Sequence, residues 1–157
     1  MCFKYKKYKK DHEDTPIKKD GSGLECPQDQ RVAPEIDELY SQSNNVTEAY
    51  IYGDNTFGEH LWIVCKIRAN SGDEYFFISS KSKAKHISYY TLRRETAVRL
   101  GNLEYKNYKS AVLKKFKSLR DTRVSSLNQI VQKCTKNYNY FKANCRDYAN
   151  GIYNSLK

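Results

Sequence analysis

A change in hydrophobic period partway along the chain narrows the possible folds more than any other feature. Residues 46–52 are β-branched and aromatic and stop at Gly53-Asp54-Asn55, which reads as a strand. In residues 60–68 the side chains alternate. Leu61, Ile63, Cys65 and Ile67 take one face and His60, Trp62 and Val64 the other. Asn70-Ser71-Gly72-Asp73 is turn chemistry, so residues 74–80 complete a hairpin, and residues 86–92 read as a third strand following the two of the hairpin. Beyond that point the apolar spacing lengthens. Val112, Leu113, Phe116 and Leu119 predict a helix over 111–119 with Lys114, Lys115 and Lys117 outside. Leu127, Ile130, Val131 and Cys134 predict another over 124–134. A last helix starts near Cys145 and runs to about residue 156, with Ala149, Ile152 and Leu156 on the face of Cys145. Strands followed by helices indicate an α+β fold: an antiparallel sheet of about three to five strands packed against helices.

Residues 1–33 lack this periodicity and read as a basic, flexible tail. Residues 34–157 then form a single domain, with Pro34 opening a short helix over 35–40. The 14 Tyr, 6 Phe and 1 Trp support a modest core close to the surface, because Tyr has an apolar body and a polar tip.

The net charge of +10 implies attraction to anionic partners. In the tail Lys4, Lys6, Lys7, Lys9 and Lys10 alternate with Tyr5 and Tyr8. Such an alternation of cations and rings suits contact with nucleic acid or acidic lipid. The five Cys form no C-x-x-C pair, which argues against a zinc ribbon and a dense disulfide framework. No apolar stretch reaches the length of a transmembrane segment and no secretory leader is evident at the start, so an intracellular, cytoplasmic setting is expected. Nothing in the sequence calls for a metal or a cofactor.

The segment Asn144-Cys145-Arg146-Asp147-Tyr148-Ala149 carries the most chemistry. Asn144 is placed to cap a helix whose buried face begins with Cys145. A thiol there meets the positive end of the helix dipole and unpaired backbone N–H groups, which favour thiolate and can hold an oxyanion. The bland alternative is a small residue closing a helix end. Of His12, His60 and His86, the sequence favours His60 as partner, because it opens an apolar strand at a sheet edge. His12 lies in the tail and His86 reads as a surface residue.

Gly58-Glu59-His60-Leu61-Trp62-Ile63-Val64, a hairpin ending in Tyr75-Phe76-Phe77-Ile78, and the Asn144-Cys145 helix near the C-terminus together resemble the circularly permuted branch of the papain-like fold. That branch holds NlpC-like and lecithin:retinol acyltransferase-like proteins and the permuted deubiquitinating and desumoylating peptidases. Ile130, Val131 and Tyr140 before the Asn-Cys pair add to the likeness, which covers roughly residues 46–157 with an unmatched stretch at 81–120. The resemblance implies a cysteine-dependent hydrolase or acyltransferase. Cys145 would be the nucleophile, His60 the base and the Cys145 backbone N–H an oxyanion donor, acting through a thioester on a peptide, a modified protein or an acyl lipid. Two positions depart from the pattern. No second His follows on the next strand, where Ser80 is the nearest candidate to orient His60, and Leu61 stands where the branch often has a small or aromatic residue. Two other functions compete: a basic nucleic-acid-binding module, and a catalytically inactive papain-like interaction domain.

Overall fold

The computed structural model describes residues 17–18, 41–55, 58–82, 86–102, 111–138 and 144–157. The expected helix over 35–40 at the start of the domain and the basic run from Lys4 to Lys10 lie outside the described residues. The architecture is α+β. Six strands, β1 (Ile17–Lys18), β2 (Asn45–Gly53), β3 (Leu61–Arg68), β4 (Glu74–Lys81), β5 (His86–Thr91) and β6 (Val112–Ser118), form one sheet in the order β1-β5-β4-β3-β2-β6. Every neighbouring pair is antiparallel. Among the described residues three helices accompany them: α1 (Arg94–Asn102), α2 (Val124–Lys136) and α3 (Cys145–Ser155).

The sheet is a meander from β2 to β5, each strand pairing with the next in sequence. Between β3 and β4 the turn closes through the Ala69 N–H to the Asp73 carbonyl at 2.8 Å and the Gly72 N–H to the Ala69 carbonyl at 2.9 Å. Gly72 sits there at φ 95°, a conformation that glycine adopts without a Cβ clash.

Side-chain alternation splits the core in two. Ala49, Ile51, Leu61, Ile63, Cys65, Ile67, Tyr75 and Phe77 project from one face and are covered by α2 and α3. Helix α2 contributes Val124, Leu127 and Val131, and α3 contributes Tyr148, Ala149 and Ile152. Each such aliphatic side chain contributes about 1.5–3 kcal/mol on burial. From the opposite face Tyr50, Tyr52, Trp62, Val64 and Ile78 pack against Ala97 and Leu100 of α1.

Besides β1, whose Ile17 and Lys18 pair with Tyr90 and Tyr89 of β5 inside the segment read as a tail, two elements depart from the sequence reading. Helix α1 was not anticipated: it is short, and only Ala97, Val98 and Leu100 supply apolar periodicity. The second departure is larger. Residues 112–118, expected to be helical, form the edge strand β6. The cause is a bulge. Tyr52 pairs with Leu113, but Ile51 pairs with Lys115, so Lys114 is an extra residue opposite β2. The insertion moves the apolar spacing from two to three, and Leu113 and Phe116 share a face as they would on a helix.

Candidate active site

Helix α3 begins with a capping box. Asn144 Oδ1 accepts from the Arg146 N–H at 3.0 Å and the Asp147 N–H at 3.5 Å, while Asp147 Oδ2 accepts from the Asn144 N–H at 3.1 Å. The capping predicted for Asn144 is therefore present, and it occupies two of the N–H groups that a helix start offers. Cys145 is the first residue of this helix and is half-buried.

His60 lies elsewhere. It is 1% exposed, and its ring stacks on Trp62 with centroids 5.6 Å apart, on the face covered by α1. Its Nε2 shares a 2.6 Å hydrogen bond with Ser80 Oγ, and Ser80 Oγ also reaches the Gly101 carbonyl of α1 at 3.5 Å. The Ser80 contact anticipated for His60 exists, but the pairing of His60 with Cys145 does not. Their elements occupy opposite faces of the sheet, because His60 shares the parity of Trp62 and Val64 while α3 packs over Leu61 and Ile63. Burial pulls the His60 pKa down to about 4, with Asp54 and the Gly101 backbone opposing weakly.

The histidine on the α3 face is His86, which sequence reasoning assigned to the surface. It opens β5 and pairs with Lys81 in register. Its Nε2 is 3.1 Å from Tyr148 Oη and 3.0 Å from Ser88 Oγ. Tyr148 Oη also meets Ser79 Oγ at 2.6 Å and Thr135 Oγ1 at 3.5 Å, and Ser79 meets Ser88 at 2.9 Å. Tyr148 follows Cys145 by three residues on α3. Helical side chains lean back over the preceding turn, so the Tyr148 ring, and His86 edge-on to it at 5.8 Å, belong with the first turn of α3. Both hydrogen bonds to the imidazole use Nε2, which leaves Nδ1 as the nitrogen that can take a thiol proton. Burial first, and then the Lys81 charge, hold the His86 pKa below its usual value, so the ring is neutral at ordinary pH.

The signal for His86 was available as strand parity. Lys81 and His86 pair, two positions along both strands from the Ser79–Ser88 pair. An even spacing keeps all four on one face. The sequence does not show which face the Cys145 helix covers.

Cys65 and Cys134 make poorer nucleophiles. Burial pushes both thiols up, Cys65 well beyond the ordinary range. Among the described residues, no three His, Cys, Asp or Glu side chains gather as metal ligands. No helix among them is long and apolar enough to cross a membrane. Compared with known proteins, the chain matches no family model, no curated protein and no solved structure.

Proposed function

We propose that the protein is a cysteine-dependent hydrolase or acyltransferase in which Cys145 is the nucleophile and His86, rather than His60, is the base. One observation carries the reading: a capped helix N-terminus bearing a half-buried Cys lies on the same sheet face as a neutral imidazole whose Nε2 is held by Tyr148 and Ser88. The permuted papain-like arrangement is part of the proposal. It is supported by a meander of strands followed by a final helix that starts at Asn144-Cys145, and it differs from the expected pattern in taking its histidine from the last strand of the meander.

In this scheme His86 Nδ1 takes the Cys145 proton and the thiolate attacks a carbonyl carbon. The Cys145 N–H stabilises the oxyanion, since the next two N–H groups are held by Asn144. Collapse expels the leaving group with the His86 proton and leaves a thioester. Water or a second acceptor then attacks the thioester, giving up its proton to His86. Tyr148, Ser88 and Ser79 orient the ring and select its tautomer.

Iodoacetamide alkylation at pH 7, followed residue by residue by mass spectrometry, tests the pair. Cys145 is expected to react at least ~10-fold faster than glutathione, and His86→Gln to remove most of that excess while His60→Gln leaves it. Hydrolysis of a chromogenic acyl ester by the wild type is expected to vanish in Cys145→Ala. A Cys145 that reacts no faster than glutathione, with or without His86, would leave an interaction domain in place of an enzyme.

A further inference from the structure

The long open edge of the sheet is β6. At the other end β1 adds two residues along β5, whereas the outer side of β6 has no neighbouring strand among the described residues. An open strand presents unpaired N–H and C=O groups, a template for another strand. Two large apolar side chains stand on it: Leu113 and Phe116 are each 49% exposed. They face the same way, since they pair with Tyr52 and Tyr50, and Phe116 leans on the Tyr50 ring at 5.2 Å.

The cations on β6 decide what can dock. Lys114 is ion-paired with Glu59 at 3.0 Å. On the other side of the strand Lys115 reaches Asn150 Oδ1 at 3.1 Å, and Lys117 sits 4.4 Å from the centre of the Tyr153 ring. Among the described residues neither meets a carboxylate. A second copy of β6 laid along this edge would bring Lys against Lys, which is destabilising. A strand carrying carboxylates would meet complementary charge and cover Leu113 and Phe116 with its apolar positions.

We propose that the outer edge of β6 docks an acidic, extended segment of a partner protein by strand addition, with Lys115 and Lys117 facing its carboxylates and Leu113 and Phe116 its alternate apolar side chains. Main-chain pairing supplies affinity and the alternation supplies register. The surface is independent of the Cys145 site.

The test uses the full chain and a fluorescent ten-residue peptide of alternating Glu and Val. Saturable binding is expected, with added hydrogen-exchange protection of the amides of residues 112–118. Lys115→Glu with Lys117→Glu should weaken it at least tenfold, and Leu113→Thr with Phe116→Thr should weaken it while leaving the charges in place. A peptide of equal charge with Pro at alternate positions should not bind. The proposal is overturned if the Pro peptide binds equally well or if binding adds no protection at β6. It is overturned as well if a twelve-nucleotide oligothymidine binds the same lysines more tightly, or if unliganded chains self-associate through β6.

Discussion

At the residue scale the two histidines of the sheet have different consequences. His60 is enclosed by Trp62, Ser80 and the backbone of α1, and its pKa is depressed to about 4. Above pH 6.5 the ring is neutral in both folded and unfolded chains and imposes no penalty. Below pH 6.5 the unfolded chain takes a proton that the folded chain refuses, so stability falls as pH drops toward 4. The loss from this one residue is about 3 kcal/mol, taking 1.36 kcal/mol per pKa unit. Urea midpoints measured at pH 7 and pH 4.5 should show the loss, and His60→Gln should flatten it. An equally steep decline in the variant would move the effect to other groups. His86 has a depressed pKa as well, but its ring is half-buried among hydroxyls beside the first turn of α3, where proton exchange is possible.

At the scale of elements α1 lies directly against β3 at one point. A Cβ on Gly101 would collide with the Trp62 indole, so the helix backbone lies directly on the ring. Gly101→Ala is expected to destabilise by about 1–3 kcal/mol, against the stabilisation that Gly→Ala ordinarily brings inside a helix. A chemical denaturation curve reads the sign. A stabilised variant would mean that Trp62 and α1 separate easily. The same contact keeps His60 in place, because His60 stacks on Trp62 and bonds the serine that reaches the Gly101 carbonyl. Strand β6 teaches a different lesson. Its apolar residues are spaced like those of a helix because a bulge at Lys114 adds one residue to the pleat. Periodicity cannot separate a bulged edge strand from a short helix when the outward residues are lysines, which suit both. Strands β2 to β5, by contrast, were legible nearly to their ends, since β3 and β4 alternate cleanly and Gly, Asn and Asp mark the end of β2 and the turn between β3 and β4.

At the scale of the molecule the sheet separates two apolar clusters. The larger lies under α2 and α3, and the smaller lies under α1. Ile152 belongs to the first and Leu100 to the second, with the sheet between them. Each truncated to Ala should cost about 2–5 kcal/mol if fully buried, Leu100 toward the lower end, and the double variant should equal the sum within about 0.5 kcal/mol. A clear departure from additivity in denaturant unfolding would show that strain passes through the sheet. The division also governs the candidate chemistry. Residues of one parity meet α1 and those of the other meet α3, so only the second set can reach Cys145.

The amino-acid order by itself determined the α+β class, the segments of β2 to β5 with the hairpin between β3 and β4, the two later helices and the capped start of α3 at Cys145. Those features depend on neighbours in sequence: alternation, turn residues, and a side chain capping its own helix. Which histidine shares a face with that thiol, and whether residues 112–118 coil or extend, were decided only when the chain closed on itself. Both depend on which side of the sheet a distant helix covers and on the strand that β2 accepts as its neighbour. These are contacts between segments far apart in the chain, and local pattern carries no term for them.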